Sequence, residues 1–176
     1  NEGFMNDARR FLKSDEGMVQ TFSERFKRNA PDYSIINFIT HVNGFTMMDL
    51  VSYDIKHNES NGENNNDGTE FNYSWNCGIE GKTRKRAVMS QIRNAFTMLL
   101  CSQGTPMLLA GDEFGNTQLG NNNAYCHDDN ITWLNWKHTK SEQDIFEFVK
   151  RMIAFRKQHC VLHGKEPLSM FDTKGI

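Results

Sequence analysis

The chain has 176 residues, of which 38% are hydrophobic and 11% aromatic, and its formal net charge is −2. This is enough apolar material for one domain with its own core, and it is not a disordered composition. The lack of a basic surplus argues against a nucleic-acid or anionic-membrane binder, and no apolar run nears the roughly 20 residues needed to cross a bilayer.

The sequence opens Asn1-Glu2-Gly3, with no charged region followed by an apolar stretch, so no signal peptide is expected. The missing initiator Met places the natural start upstream or implies processing. Cys77, Cys101, Cys126 and Cys160 are widely spaced with no C-x-x-C pair. That spacing argues against zinc and for reduced thiols in a cytoplasmic protein.

Asp7 to Leu12 reads as a helix end with a basic pair, Arg9-Arg10. Ser14-Asp15-Glu16 is expected to cap a second helix to about Lys27, with Val19, Phe22 and Phe26 on one face. Pro31 ends that stretch. Ile35 to Thr40 is a short apolar run that predicts a buried parallel strand. A short helical segment is expected between Gly44 and Tyr53. Asn58 to Gly68 is a polar loop, and Phe71, Tyr73 and Trp75 follow at once, which favours an ordered wall or lid.

Arg84 to Gln103 is the clearest helix, with Val88, Ile92, Ala95, Phe96, Leu99 and Leu100 at helical spacing. Its opening run Arg84-Lys85-Arg86 reads as a solvated face. Gly104 is expected as its C-cap, followed by Pro106 and a strand from Met107 to Ala110. Strand, loop, helix and strand in this order predict a βαβ unit. Ile131 to Trp136 alternates like a short strand or an extended loop. A second long helix is expected from Ser141 to His159, acidic early (Glu142, Asp144) and basic late (Arg156, Lys157). The tail from Gly164 has no clear period.

In an α/β barrel the working residues follow the C-terminal ends of strands. That rule selects His41-Val42-Asn43-Gly44 and Gly111-Asp112-Glu113-Phe114. Two carboxylates that act as acid and nucleophile converge at about 5–5.5 Å across a sugar, which sequence neighbours do not easily do. Asp112 and Glu113 therefore read as loop-organising acids, with direct sugar contact as the alternative. His41 reads as a satisfied polar residue at a strand end, with base or metal ligand as the alternatives. His57, Asn58 and Glu59 suit sugar hydroxyls as well as they suit an ordinary polar loop. Tyr125, Phe114, Trp133 and Trp136 serve either as packing or as stacking platforms. No nucleophile elbow and no Gly-rich phosphate loop is present.

Several longer motifs occur in one order. They include Gly44-Phe45-Thr46, Asp49-Leu50-Val51-Ser52-Tyr53, Lys56-His57-Asn58-Glu59, Asn72-Tyr73-Ser74-Trp75-Asn76 and Ser102-Gln103-Gly104-Thr105-Pro106. Asn61-Gly62-Glu63, Leu109-Ala110-Gly111-Asp112-Glu113-Phe114-Gly115 and Gly120-Asn121-Asn122-Asn123-Ala124-Tyr125-Cys126 complete the set. From Ile36 to Trp136 the chain resembles bacterial glycogen debranching enzymes and isoamylases of the α-amylase superfamily. The helical stretch Phe4 to Phe26, with Arg9-Arg10-Phe11, resembles the segment before strand seven.

The resemblance implies an α/β fold: the C-terminal portion of a TIM (β/α)8 barrel, strands seven and eight with flanking helices. Residues 1–163 would be barrel, and 164–176 a linker toward a C-terminal β-sandwich. Two strands cannot close a barrel alone, so strands one to five and most or all of six would lie upstream. The implied partners are an α-glucan (glycogen or a branched maltodextrin) and the upstream part of the same barrel. Apolar surface left open would favour self-association. No cofactor is implied, and no ligand spacing supports calcium.

The family cleaves α-1,6 branch points with retention. Its nucleophilic Asp follows strand four and its acid/base Glu follows strand five, and neither falls in this chain. A third Asp, which stabilises the transition state, comes from a His-Asp-Gly-Phe-Thr motif. Here that motif reads Val42-Asn43-Gly44-Phe45-Thr46, so Asn43 stands at the catalytic position and Val42 at the sugar-binding His. The remaining substrate-binding candidates are His57, Asn58, Glu59, Asp112, Glu113, Asn123 and Tyr125. An amide keeps the shape of the acid but not the charge that opposes an oxocarbenium ion. Three readings follow: an active hydrolase that tolerates Asn43, a glucan-binding pseudoenzyme, or a piece without function of its own.

Overall fold

The computed structural model describes residues 1–81, 86–137 and 139–169. Five α-helices among them are α1 (Glu2–Leu12), α2 (Met18–Lys27), α3 (Met47–Leu50), α4 (Arg86–Cys101) and α5 (Lys140–Gln158). Two short strands, β1 (Ile36–Asn37) and β2 (Thr105–Pro106), pair in parallel with Ile36 opposite Thr105.

The heads of α1 and α5 are held by side-chain bonds. The Asn1 side chain accepts the Phe4 N–H at the head of α1, and the Thr139 N–H donates to Glu142 at 2.7 Å at the head of α5. α2 differs from expectation: its cap is Gly17 in the left-handed region, with no side-chain bond. Ser14 does not cap it, because the chain is still leaving α1 there; the Ser14 N–H returns to Phe11 O. Asp15 pairs instead with Arg10 and Lys13. Phe22 is buried as expected, but Val19 is 73% exposed.

The core lies between the helices. Phe4 and Ala8 of α1, Phe22 of α2, Met48 of α3, Ile92, Phe96 and Leu99 of α4, and Ile145 and Val149 of α5 form one cluster. α1 packs on α2 and α4, and α5 packs on α4 and on the turn at Asp112–Phe114. Ile92 and Phe96 are fully buried, so truncating either to Ala costs roughly 2–5 kcal/mol.

Both strands are shorter than the apolar runs that announce them. Pro106 has no N–H, so the ladder uses Thr105 N–H to Ile35 O (2.7 Å) and Met107 N–H to Asn37 O (2.8 Å). After Asn37, β1 turns to side chains: Ile39 O accepts from Arg9 Nε, and Thr40 bonds Asp112. Met107 gives the last ladder bond, so residues 108–110 of the expected strand eight lie beyond the pairing, and the strand starts two residues earlier, at Thr105. Ile131 to Trp136 is likewise turn and extended loop, not strand. Arg84 and Lys85 of the expected α4 start, and residues 170–176 of the tail, lie outside the described residues.

The C-terminus of α4 meets β1 closely. Gly104 has φ +81°, and a Cβ there would fall 2.7 Å from Ile35 O, so only glycine fits. Arg156 of α5 closes the same corner by donating to Leu100 O (2.8 Å), Ser102 O (2.6 Å) and Gly104 O. This is a cation at a helix C-terminus, where the last carbonyls lack partners. Beyond α5 the chain returns to α2, where the Leu168 N–H donates to Lys27 O. Among the described residues, no helix is long and apolar enough to cross a membrane.

Candidate functional site

The segments after β1 and β2 line one open groove of about 370 Å³. Val42 and Asn43 come from the first segment, and Leu109 and Ala110 from the second. Asn116 and Gln118 lie beyond the turn at Asp112–Phe114. Asn123, Tyr125, Thr132 and Leu134 close the far side. Val42 is 76% exposed and Tyr125 72%. Among the described residues, no Asp, Glu, Lys, Arg or His lines the groove. It offers amides, a hydroxyl, a phenol and aliphatic surface. That suits a neutral, polyhydroxylated ligand, and nothing in it holds a negative charge at neutral pH.

Ionisable groups lie underneath. Asp112 is buried and accepts from the Thr40 hydroxyl and, at 2.8 Å, from the Met47 N–H. Burial pushes its carboxyl up to about 7, although both donors pull it down. Asp49 is also buried and accepts from the Thr117 hydroxyl and the Gln118 N–H (2.8 Å). Burial raises it to about 6. Burial lowers the Arg9 guanidinium to about 10, with Asp112 as the opposing influence. Arg9 donates to Ile39 O and Asn72 O. His41 is half-buried against Phe38, and its Nδ1 accepts the Asn43 N–H at 3.3 Å. Burial, then Arg9, lowers the His41 pKa. No cluster of three or more His, Cys, Asp or Glu forms a metal site among the described residues.

No protein-family model matches the chain. Curated relatives do. A glycogen operon protein GlgX homolog of Haemophilus influenzae is 47% identical over 90% of this chain and 26% of its own length. Isoamylase 3, chloroplastic, of Oryza sativa subsp. japonica is 42% identical over 98% of this chain and 24% of its own. A glycogen debranching enzyme of Erwinia tasmaniensis is 42% identical over 90% and 26%. The chain belongs with the glycogen debranching enzymes and isoamylases. It spans about a quarter of the length of these curated relatives. A pullulanase from Bacillus acidopullulyticus shares the fold, with a TM-score of 0.68 and 20% identity over 93% of this chain and 19% of that one.

In this debranching-family chain the predicted site residues divide into three places. Val42, Asn43, Asn123 and Tyr125 meet on the groove. Asp112 and Glu113 do not line it: Asp112 lies beneath, and Glu113 accepts the Gly111 N–H at 2.8 Å. His57, Asn58 and Glu59 belong to a separate region. His57 packs edge-on to Tyr53 and lies 3.0 Å from Glu80. Glu59 is exposed, 4.0 Å from His57 Nδ1. Asn58 is fully buried, and its side chain joins Asn122 and Asp67.

The loop from Asn58 to Gly68 is ordered by amides. Asp67 Oδ2 accepts from Asn61 (2.7 Å) and Asn123 (2.8 Å), and these bonds hold its carboxyl below the usual range. Lys56 is buried, pairs with Glu70 and donates to Asp67 O at 2.8 Å. Asn116, Gln118, Thr132 and Leu134 line the groove but escape a search for charged or aromatic residues. Their signal was position: Asn116 and Gln118 follow the end of β2.

Proposed function

We propose that this chain forms part of the α-glucan cleft of a debranching glycoside hydrolase, and that it contributes binding rather than acid–base chemistry. The observation that carries this reading is the groove: Val42, Asn43, Asn123 and Tyr125 converge there, and no ionisable carboxylate or base does. The family relationship supplies the substrate class, a branched α-glucan such as glycogen. β1 and β2 would be strands seven and eight of a TIM barrel, supported by their parallel pairing and by the loops that leave their C-terminal ends. Residues 1–163 would belong to that barrel, and 164–176 would lead toward a β-sandwich. The nucleophilic Asp and the acid/base Glu of the retaining reaction would come from elsewhere in the whole protein, in the cytoplasm. The chain alone would then not hydrolyse glucan.

A second reading rests on Asn43 and Val42 themselves. An amide and an isopropyl group stand where the family resemblance expects a carboxylate and an imidazole. The whole protein would then be a glucan binder with impaired hydrolysis.

Calorimetric titration of the chain with maltohexaose and with a branched maltodextrin, beside a reducing-end assay, tests the proposal. Binding that is insensitive to salt, without reducing ends, is expected, because no charge lines the groove. Absence of binding, or preference for a sugar phosphate, would overturn it.

A further inference from the structure

One side chain holds both ends of the loop that carries Val42 and Asn43. Thr40 precedes that loop and Met47 follows it. Asp112, distant in sequence, takes the Thr40 hydroxyl on Oδ2 and the Met47 N–H on Oδ1, the latter at 2.8 Å. It is 1% exposed, so water does not compete for either bond. The opposite wall is tied to the same frame. The Thr46 hydroxyl donates to Asn116 O at 2.9 Å, and Asp49 of α3 accepts the Gln118 N–H. Inside the loop, the Asn43 N–H to His41 Nδ1 bond is long, at 3.3 Å.

We infer that Asp112 is a positioning residue of the groove: by clamping Thr40 and Met47 together it fixes where Val42 and Asn43 face a bound glucan. The ligand in this statement rests on the function proposed above; the clamp does not. The Asp112 carboxylate bonds Thr40 and Met47, neither of which lines the groove, and acts through the loop between them. The chemistry of the clamp is two-donor acceptance. A carboxylate provides it with both oxygens. An amide also provides it, because its oxygen accepts from Met47 and its NH2 donates to the Thr40 oxygen once that hydroxyl turns. Alanine provides neither.

Backbone order parameters of the 15N-labelled chain test the clamp without any sugar. In Asp112→Ala, Val42 and Asn43 are expected to fall below about 0.6, while α4 stays near about 0.85. Asp112→Asn is expected to keep the loop ordered. Equal loosening in both variants, or none in Asp112→Ala, overturns the inference. Should Asp112→Ala fail to fold, Thr40→Val removes only half of the clamp and must still loosen residues 41–43; an ordered loop there overturns it equally.

Maltohexaose, followed by the same amide shifts, adds the second arm. Asp112→Ala should bind at least about tenfold more weakly, because the loop must be ordered on binding. A loosened loop with undiminished affinity overturns the link to glucan. If the unaltered chain does not bind maltohexaose, the proposed function fails while the order parameters still decide the clamp.

Discussion

Asn58 and Asn122 bond each other twice across the fold. The Asn58 amide donates to Asn122 Oδ1 at 2.9 Å, and the Asn122 backbone N–H donates to Asn58 Oδ1 at 3.0 Å. Both residues are buried, so the pair welds the Asn58–Gly68 loop to the segment that carries Asn123 and Tyr125.

Asn58→Ala strips that segment of one donor and one acceptor that water cannot replace. The expected loss is roughly 2–4 kcal/mol of unfolding free energy. Urea denaturation should show a lower midpoint at unchanged slope. The double variant with Asn122→Ala should cost less than the sum of the singles, because the two side chains share one network. Strict additivity would show that the pair is not a unit.

Asp112 and Asp49 make stability depend on pH in an unusual direction. An unfolded aspartate titrates near 4, whereas in the folded chain these carboxyls are raised to about 7 and about 6. Between those values the folded chain keeps protons that the unfolded chain has released. Their contribution is therefore complete below about pH 4 and is lost as pH rises toward about 7. Asp112→Asn removes one of these titrations. Its urea midpoint, relative to the unaltered chain, should improve between pH 5 and pH 8. The same difference at both pH values would contradict the buried ionisation.

Arg156→Met leaves three carbonyls at the end of α4 without their donor. A loss of roughly 3 kcal/mol is expected, which lowers Tm by about 6–12 °C in a chain of this size. Arg156→Lys should recover only part, since an ammonium is a point donor and not a fork. Full recovery would mean that charge alone matters there.

The pair Val42→His and Asn43→Asp is best tried in the whole protein as its cell makes it. If the missing charge limits hydrolysis, release of reducing ends from branched glucan should rise about 10²-fold. An unchanged rate with intact folding would assign the deficit elsewhere.

The sequence made the helices legible because their apolar residues repeat at helical spacing and four of the five end near the predicted residues. The strands were harder. Ile35 to Thr40 is mostly apolar, yet the ladder ends at Asn37 because Arg9 and Asp112 take the next groups. No local pattern announces such a capture. Of the residues that line the groove, Asn43 and Tyr125 are ones the family resemblance singles out. The positions of Asn58 and Asp112 depend on partners far along the chain, which no window of sequence contains. Val19 shows the opposite failure: it fits the helical period but faces solvent.

The pairing of Ile36 with Thr105 also bears on the order in which the molecule forms. α1 and α2 are neighbours in sequence and can close on each other early. β1 cannot, since the buried amide of Asn37 finds its acceptor only at Gln103 O. Closing so long a loop costs chain entropy before any ladder bond offsets it. The groove, which rests on the loops beyond both strands, is therefore among the last features to assemble, and a chain interrupted before Thr105 would carry α1 to α4 but lack α5 and the site.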